Sequence, residues 1–433
     1  MKFSMIIKRL LFCWLITFFL LLGRPGSGLT SEIELKIGGA FDVTGPYAES
    51  AMILAYDDYL KWVSDKGGVK DLKGQSCKFK LIWQDCASDI PRGLVAYKDF
   101  KAQGCLVHYY CATGQNAALK AQAAKDQTPL VSQLVSNVIF EGEDSWVYAH
   151  TGARENITTL LDGVKKIWKK NTPPTIGFLT WDNLFGTDMI PFGKAYAKRL
   201  GFVVGPDEYF SPKALDITPQ IRRLYDAKCN FVVLALVGGQ ASVIFKNKYD
   251  LGYTDMLFIG TTPLSSGSWS TLKKMDPKIY NGNMIYSTFA VETDDSPGTK
   301  LMRETHKKYH GEGKWDDFAE YACAFPGVYV TVAAIEKALQ KVPGDKITGG
   351  DVKKYGLDTL KIDGFGLAMG FSYVDYPGDR QSTAGGRLFE MRDGKLIPLT
   401  GWLPNSYQAP YSPTAPDWVK ETAKALAEKT LKK

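Results

Sequence analysis

The fold is decided by residues 34–66, which read ELKIGGAFDVTGPYAESAMILAYDDYLKWVSDK. Here an apolar strand predicted at 34–41 is followed by the loop VTGPYA at 43–48 and by a helix predicted at 49–66. Two later loops also follow an apolar strand and open a helix, namely CATGQN at 111–116 and SQLVSN at 132–137. In a parallel α/β sheet such loops meet at one edge, where free helix N–H groups and hydroxyls can hold a small anion. The sequence therefore predicts a ligand-binding cleft at that edge.

Strands and helices alternate along the rest of the chain as well. In the first half, further strands are predicted at 78–84, 105–110 and 129–133, with helices at 91–103 and 115–125. The second half has a similar series, with helices at 155–168, 188–200, 218–227 and 241–251 and strands at 175–181, 202–209, 231–237 and 256–260. Such alternation indicates βαβ units and a parallel sheet. We therefore predict an α/β fold of two Rossmann-like lobes with parallel sheets, joined by short hinge crossings, with the ligand cleft between the lobes.

The division into lobes follows from where the pattern restarts. We expect 31–150 to form the first part of lobe 1, 151–286 the first part of lobe 2, 287–365 the return to lobe 1, and 366–433 the return to lobe 2 with the C-terminal tail. A strand predicted at 283–290 returns to the first lobe, and the longest helical pattern, 315–339, is kinked or split in two at Pro326. Short β segments are predicted at 386–392 and 395–400. Several short crossings allow two lobes to close by hinge bending around a ligand.

Residues 1–30 have the pattern of a signal peptide. A basic start (Lys2, Lys8 and Arg9) precedes an apolar run at 10–22, and Gly26-Ser27-Gly28 offers small residues for cleavage. The run would span roughly 20 Å as a helix, too short for a hydrocarbon core of about 30 Å. Export is therefore predicted, and an uncleaved membrane anchor is the weaker alternative.

Charge, cysteines and motifs exclude several function classes. Loss of Lys2, Lys8, Arg9 and Arg24 with the signal lowers the formal net charge from +7 to about +3, and the remaining lysines are scattered, which does not favour a nucleic-acid binder. No C-x-x-C pair occurs, and His306 and His310, separated by three residues, lack a glutamate after the first histidine, so two exposed helix histidines are expected instead of a metal site. G-x-S-x-G, G-x-x-x-x-G-K-[ST] and G-x-G-x-x-G after the first strand are also missing, and Gly38-Gly39 sits within the strand as a packing feature. We therefore expect no enzyme, no metal and no cofactor.

Three segments together resemble one known family. They are residues 37–48, a strand ending in Thr-Gly-Pro-Tyr; DCASD at 85–89, which precedes a helix containing Ala96; and TWDNLFG at 180–186. In order and spacing they resemble the exported solute-binding proteins of the leucine/isoleucine/valine-binding type, which serve ABC importers. The resemblance implies a type I periplasmic binding fold and a monomer in the periplasm that captures a small molecule and delivers it to an ABC permease of the inner membrane. A periplasmic sensor that feeds a receptor instead is the alternative.

The resemblance also implies ligand contacts in the first lobe. The backbone N–H groups of Ala112 and Thr113 would hold a carboxylate, and Val135 and Ser136 would supply a carbonyl and a hydroxyl. Tyr47 would cover one side of the ligand. Thr113 and Ser136 have the alternative of simply capping helices, and Tyr47 that of ordinary packing.

In the second lobe, the resemblance implies that Phe185 closes over the ligand and that Gln240 adds a polar contact. Ordinary packing is again the alternative for Phe185. Amino-acid binders of this family place a glutamate after a Gly-Pro step to neutralise the ligand ammonium, whereas IGTTPL at 259–264 puts Thr262 in that region. Asp182 and Asp42 are the other acids considered, but the sequence positions neither. Because a buried ammonium without a paired charge is costly, a carboxylate without an amine or a neutral amide competes with an amino acid as the expected ligand.

Two further expectations concern aromatic residues and cysteines. Trp181, Phe185 and Tyr110 favour an aromatic or bulky apolar acid as the ligand. The resemblance implies a disulfide between Cys86 and Cys111, with Cys77 and Cys105 as a less favoured second pair. Free thiols are expected at the last two positions, Cys229 and Cys323.

Overall fold

The computed structural model describes residues 32–431 except 46–47, 143–144, 313–314, 316–317, 376–379, 381, 411 and 413. The signal peptide predicted at 1–30 lies outside these residues. Two sheets organise the described part of the chain, and each is covered by helices that connect its strands.

The first sheet has six strands in the order β2-β3-β1-β4-β5-β6, and all neighbours are parallel except β2 and β3. Its strands are β1 (Ile33–Phe41), β2 (Val69–Lys70), β3 (Ser76–Asp85), β4 (Val107–Tyr110), β5 (Leu130–Val135) and β6 (Val147–Gly152). The connecting helices are α1 (Ala51–Asp65), α2 (Ile90–Ala102), α3 (Thr113–Lys125) and α4 (Asn137–Phe140). The second half of β1 is buried throughout because helices cover both faces of the sheet.

The second sheet follows the order β15-β14-β11-β10-β9-β7-β8, with β16 paired to β14. Its strands are β7 (Thr175–Trp181), β8 (Val203–Phe210), β9 (Phe231–Ala235), β10 (Leu257–Gly260), β11 (Met284–Ser287), β14 (Gly385–Arg392), β15 (Lys395–Pro398) and β16 (Leu403–Pro404). Strands β7 to β11 pair in parallel, whereas β14 runs antiparallel to β11, β15 and β16. The helices of this part are α5 (Ala153–Ile167), α6 (Leu184–Asp188), α7 (Ile190–Arg199), α8 (Thr218–Asp226), α9 (Gln240–Asp250), α10 (Gly267–Leu272) and α11 (Pro277–Tyr280).

The chain passes between the two lobes three times in the described residues. It leaves the first sheet at the end of β6, returns after β11, and reaches the second sheet again at β14. The returning segment contains α12 (Pro297–His310), α13 (Phe318–Leu339), α14 (Gly349–Asp351), β12 (Lys361–Ile362) and β13 (Phe371–Ser372), and a final helix, α15 (Asp417–Leu431), ends the described chain. The predicted α/β fold of two lobes with mainly parallel sheets is confirmed.

One prediction of local structure was wrong, and one of two alternatives at Pro326 is excluded. The strand predicted at 283–290 does not join the first lobe: β11 pairs with β10 and β14 in the second sheet, and only the residues after it, Phe289 and Ala290, pack into the first core. Of the two alternatives predicted at Pro326, a kink or a split, the split is excluded, since α13 continues through the proline. Proline in a helix interior costs ~3 kcal/mol, and burial of the flanking Phe325 and Val328 offsets that cost.

Helix α13 is a core helix of the first lobe. By length and composition it could cross a membrane, but 83% of its most apolar window is buried inside the protein. It packs against α1, with Tyr59 and Phe325 in ring contact at 5.0 Å between centroids. Its apolar character therefore serves the core of the lobe.

Gly38 lets α2 lie close to β1. A Cβ added at this position would lie 2.7 Å from the ring of Phe100, a fully buried residue of α2. The interpretation of Gly38-Gly39 as a packing feature agrees with this close approach. The absence of a side chain here is what allows the helix to cover the central strand.

We expect Gly38→Ala to lower the free energy of unfolding by about 1–3 kcal/mol, because the Phe100 ring must move within a close-packed core. Denaturant unfolding followed by circular dichroism measures the loss. Gly401→Ala is the matched control, since nothing lies within 4 Å of a Cβ built there. Equal stabilities for the two variants would contradict the packing role.

A buried ion-pair network joins the lobes beside the crossing at β6. The guanidinium of Arg154 contacts Asp188 of α6 at 2.6 Å and Glu141, which follows α4, at 3.0 Å. All three side chains are 6–7% exposed. Asp188 also accepts hydrogen bonds from the Ser136 hydroxyl at 2.8 Å and from the Asn137 N–H at 3.0 Å. Residues of both lobes thus share one carboxylate.

We expect Asp188→Ala to destabilise the protein by about 3–5 kcal/mol, because it leaves Arg154 with an incompletely paired buried charge. Asp250→Ala is the control: it removes an exposed pair with Lys246, for which a loss below about 1 kcal/mol is expected. Both values come from denaturant unfolding. A loss for Asp188→Ala no larger than the control would show that the network is not buried in solution.

Candidate ligand-binding cleft

A cavity of about 320 Å³ lies between the lobes, at the carboxyl ends of the parallel strands of both sheets. This volume lies within the usual range of small-molecule sites. First-lobe lining residues are Asp42, Glu49, Met52, Ser88, Ile90, Cys111, Ala112, Thr113, Gly114, Gln133, Leu134 and Cys323; second-lobe ones are Trp181, Asn183, Leu184, Phe185, Val237, Thr262, Pro263 and Ser266. The cavity therefore lies at the sheet edge where the loops were expected to meet.

The N-terminus of α3 opens onto this cavity. Ala112 is its N-cap residue, in extended conformation and without a side-chain cap, and Ala112, Thr113 and Gly114 all line the cavity. First-turn N–H groups of a helix lack intrahelical acceptors and attract anions. A ligand carboxylate is thus the chemistry that this helix end can bind.

Four of the predicted site residues line the cavity: Ala112, Thr113, Phe185 and Thr262. Tyr47 lies outside the described residues. Val135 and Ser136 are fully buried and are not among the described residues that line the cavity. The Ser136 hydroxyl donates to Asp188 and makes no side-chain cap on α4, so in this structure it serves the contact between lobes.

Gln240 acts on the cavity through another residue. Its Oε1 accepts a hydrogen bond from the indole N–H of Trp181 at 2.5 Å, and its Nε2 donates to the carbonyl of Ala214 at 3.1 Å. Trp181 lines the cavity, whereas Gln240 is not among the described residues that line it. Gln240 therefore orients the aromatic wall from behind.

The wall of the cavity is largely apolar. Trp181 and Phe185 lie 6.2 Å apart between ring centroids on the second-lobe side. Apolar residues on both sides continue this wall: Met52, Ile90, Leu134, Leu184, Val237 and Pro263. Such a wall stabilises an apolar or aromatic ligand body through removal of apolar surface from water.

Two acids of the cleft were not among the predicted ligand contacts. Asp42 accepts hydrogen bonds from the N–H and the hydroxyl of Ser88, although burial raises the pKa of its carboxyl. Glu49 is 8% exposed, and its Oε1 accepts a hydrogen bond at 2.8 Å from the N–H of Gly267 in the other lobe. Glu49 directly follows the loop 43–48, one of the loops predicted to border the ligand site. Its position in the sequence could therefore have identified it as a candidate lining residue.

Glu49 has a second carboxyl group beside it. Glu320 of α13 accepts a hydrogen bond from the N–H of Ala51 at 3.0 Å, and a Cβ at Gly267 would lie 2.9 Å from Glu49 Oε1 and 3.2 Å from Glu320 Oε1. Burial, followed by the charge of Glu320, raises the pKa of Glu49 to about 8. Glu49 is therefore mostly protonated at pH 7. The described lining includes no lysine, arginine or histidine.

The prediction of a disulfide between Cys86 and Cys111 was wrong. The six cysteines of the described chain are all free thiols. Cys86 follows β3 and Cys111 follows β4, and β1 lies between these strands. The Cys86 N–H donates to the carbonyl of Phe41, the last residue of β1. The Cys111 thiol instead donates to the carbonyl of Ala40 on β1 at 3.8 Å.

Comparisons with known proteins agree with this architecture. A family model described as periplasmic binding protein matches residues 34–395. The Leu/Ile/Val-binding protein homolog 7 of Brucella abortus is 19% identical over 381 residues, which cover 85% of this chain and 91% of that protein.

Solved structures show the same fold. A branched chain amino acid ABC transporter protein from Thermus thermophilus, with bound valine, is 19% identical with a TM-score of 0.72, covering 87% of this chain and 97% of that one. A solute-binding protein of an ABC transporter from R. palustris, in complex with 4-hydroxybenzoate, is 17% identical with a TM-score of 0.68, covering 90% and 99%. With two lobes, a cleft between them and a family match over most of its length, the chain belongs to the periplasmic binding protein family.

Proposed function

We propose that this protein is an exported solute-binding protein of the periplasm, which captures a small carboxylate or amide ligand by lobe closure and delivers it to an ABC permease. The observation that carries the proposal is a cavity walled by both lobes, with an uncapped helix N-terminus on one side and aromatic rings on the other. The basic and apolar pattern of residues 1–30 supports export. The relatives described above include ABC transporter proteins, which supports the partner.

Capture works by a shift of population between open and closed lobes. A ligand that touches both walls gains its full contacts only when the lobes are together, so binding favours the closed form. Contacts between lobes already exist on two sides of the cavity, at Ser136 with Asp188 and at Glu49 with Gly267. The closed form is then the state that docks on the permease.

The ligand contacts follow from the lining. The N–H groups at Ala112 and Thr113 bind the ligand carboxylate, and Phe185, with Trp181 held by Gln240, covers the ligand body. Thr262 adds a hydroxyl from the second lobe. Ser136 contributes to closure through Asp188 instead of through the ligand.

The wall supports an aromatic or bulky apolar acid as the ligand. Leu134, Leu184 and Val237 extend the aromatic surface, so a ligand body of this kind removes the largest apolar area from water. One structural relative holds 4-hydroxybenzoate and another holds valine, so both acid types fit this fold. Aromatic acids and branched-chain amino acids are therefore the two sets to compare.

A thermal-shift screen tests the proposed function. Aromatic acids, aliphatic acids, small amides and branched-chain amino acids are added to the purified protein. A ligand at one hundred times its Kd stabilises the fold by about 2.7 kcal/mol, which is measurable as a higher Tm. We expect a shift with acids of the first two sets, and no shift with any set would contradict the proposal.

Leu184 provides a variant that separates binding from folding. It lines the cavity but is 44% exposed, so we expect Leu184→Ala to weaken binding of any ligand found by about three- to tenfold, which corresponds to roughly 1 kcal/mol of lost apolar contact. Leu215→Ala is the control, since Leu215 is 86% exposed in the same lobe and away from the described lining. Calorimetric titration measures both, and equal affinities would contradict the placement of the ligand against α6.

A further inference from the structure

Four buried polar side chains line one part of the cavity. We call them the inner polar cluster: Glu49, Gln133, Thr262 and Ser266. Their exposed fractions are 8%, 5%, 1% and 1%. Glu49 and Gln133 come from the first lobe, Thr262 and Ser266 from the second, so the cluster is complete only when the lobes are together.

Most of the cluster's hydrogen-bonding capacity is unused. Within the described chain, the Thr262 hydroxyl has no hydrogen-bond partner, and neither polar atom of the Gln133 amide has one at full hydrogen-bonding distance, although the Cys323 thiol lies beside that amide. The Ser266 hydroxyl lies beside the Glu49 carboxyl group and the Cys323 thiol. A buried polar group without a partner costs about 1–3 kcal/mol. Several such groups around one cavity indicate a polar ligand atom that completes them.

The charges around the cluster limit what that ligand atom can be. Titratable groups that face Glu49 are Glu320 and Cys323 on α13, Asp42 after β1, Cys111 after β4, and Tyr109 on β4. None of these is a cation, so a second anionic group of the ligand finds no counter-ion here. A mostly protonated Glu49 supplies no full negative charge for a ligand cation at pH 7.

The remaining members of the cluster are uncharged groups that both donate and accept hydrogen bonds. An amide and two hydroxyls have this property, and so does a protonated carboxyl group. The complementary ligand group is uncharged and also donates and accepts, and a hydroxyl is the smallest such group.

We propose that the ligand is a hydroxylated carboxylic acid, with its carboxylate on the N-terminus of α3 and its hydroxyl bound by Glu49 and Gln133 of the inner polar cluster. The inference rests on the proposed function, which it narrows from small acids and amides to hydroxy acids. It assigns to Glu49 a direct contact with the ligand hydroxyl.

Matched ligands that differ in one group test the proposal. Calorimetric titrations at pH 7 compare 3-phenyllactate, 3-phenylpropanoate and phenylalanine, which carry a hydroxyl, a hydrogen and an ammonium on the same skeleton. The leucine series, 2-hydroxy-4-methylpentanoate, 4-methylpentanoate and leucine, and the three hydroxybenzoates against benzoate vary the skeleton and the hydroxyl position. We expect at least one hydroxy acid to bind about tenfold more tightly than its matched partners.

The other outcomes separate the two proposals. Acids that bind without any preference for the hydroxyl overturn this inference and leave the proposed function intact. Tightest binding by the ammonium ligands also overturns it, because Glu49 would then serve as a counter-ion. Binding by none of these compounds overturns both proposals.

Variants of Glu49 test its role in the preferred hydroxy acid's binding. Glu49→Gln keeps an uncharged donor and acceptor, so we expect affinity within about threefold of the wild type at pH 7. Glu49→Ala removes the contact, and we expect it to abolish the preference for the hydroxyl. A loss of more than tenfold in Glu49→Gln would overturn the inference, since only a charged contact requires the carboxylate.

The pH dependence of ligand affinity distinguishes a direct contact of Glu49 with the ligand from a purely structural role of Glu49. The protonated form of Glu49 prevails below about pH 8, so affinity should be highest at pH 7 and about tenfold lower at pH 9, one unit above the pKa. The profile is measured with an aliphatic hydroxy acid such as 3-phenyllactate, whose carboxyl and alcohol groups do not titrate in this range, whereas a phenolic hydroxyl has a pKa of about 10. Glu49→Gln should abolish the pH dependence, and Glu320→Gln should move the loss to lower pH by removing the neighbouring charge. Glu304→Gln changes an exposed residue of α12 and is the control. A wild-type affinity that stays constant or rises between pH 7 and pH 9 overturns the inference.

Discussion

The buried ion pair between Arg154 and Asp188 is the interaction on which the geometry of the cleft depends. Arg154 is the second residue of α5, directly after the crossing at β6, and Asp188 ends α6, which supplies Leu184 and Phe185 to the cavity wall. Because the same carboxylate accepts hydrogen bonds from Ser136 and Asn137, it holds α6 against the first lobe. Charges buried in this way are destabilising unless all partners are in place, so the network favours one relative position of the lobes.

Within that position, the cavity is polar on one side and apolar on the other. The N-terminus of α3 offers free N–H groups, and the rings of Trp181 and Phe185 offer apolar surface. The carboxyl group of Glu49 lies among groups without a positive charge, and its raised pKa follows from burial beside Glu320. An acid in such surroundings serves as an uncharged hydrogen-bonding group at pH 7.

Membership in the periplasmic binding protein family does not by itself specify the ligand. Structural relatives under 20% identical hold valine in one case and 4-hydroxybenzoate in another, on the same two-lobed fold. In this chain Thr262 lies where an acid was expected from the resemblance, whereas an acid, Glu49, lines the cavity from the opposite lobe.

The alternation of strands and helices determined the α/β fold, since a parallel sheet buried on both faces requires apolar strands linked by helices. The loops after β1, β4 and β5 were likewise readable, because parallel strands end at one edge: Ala112 and Thr113 after β4 line the cavity, as do Phe185 and Thr262 from the second lobe. Only the tertiary structure decided which polar groups face the ligand and which face the protein. Ser136 is bound by Asp188, Gln240 supports Trp181, and Cys86 and Cys111 are separated by β1. These outcomes depend on partners more than twenty residues away or on a strand lying between them, and local sequence patterns contain no record of such contacts.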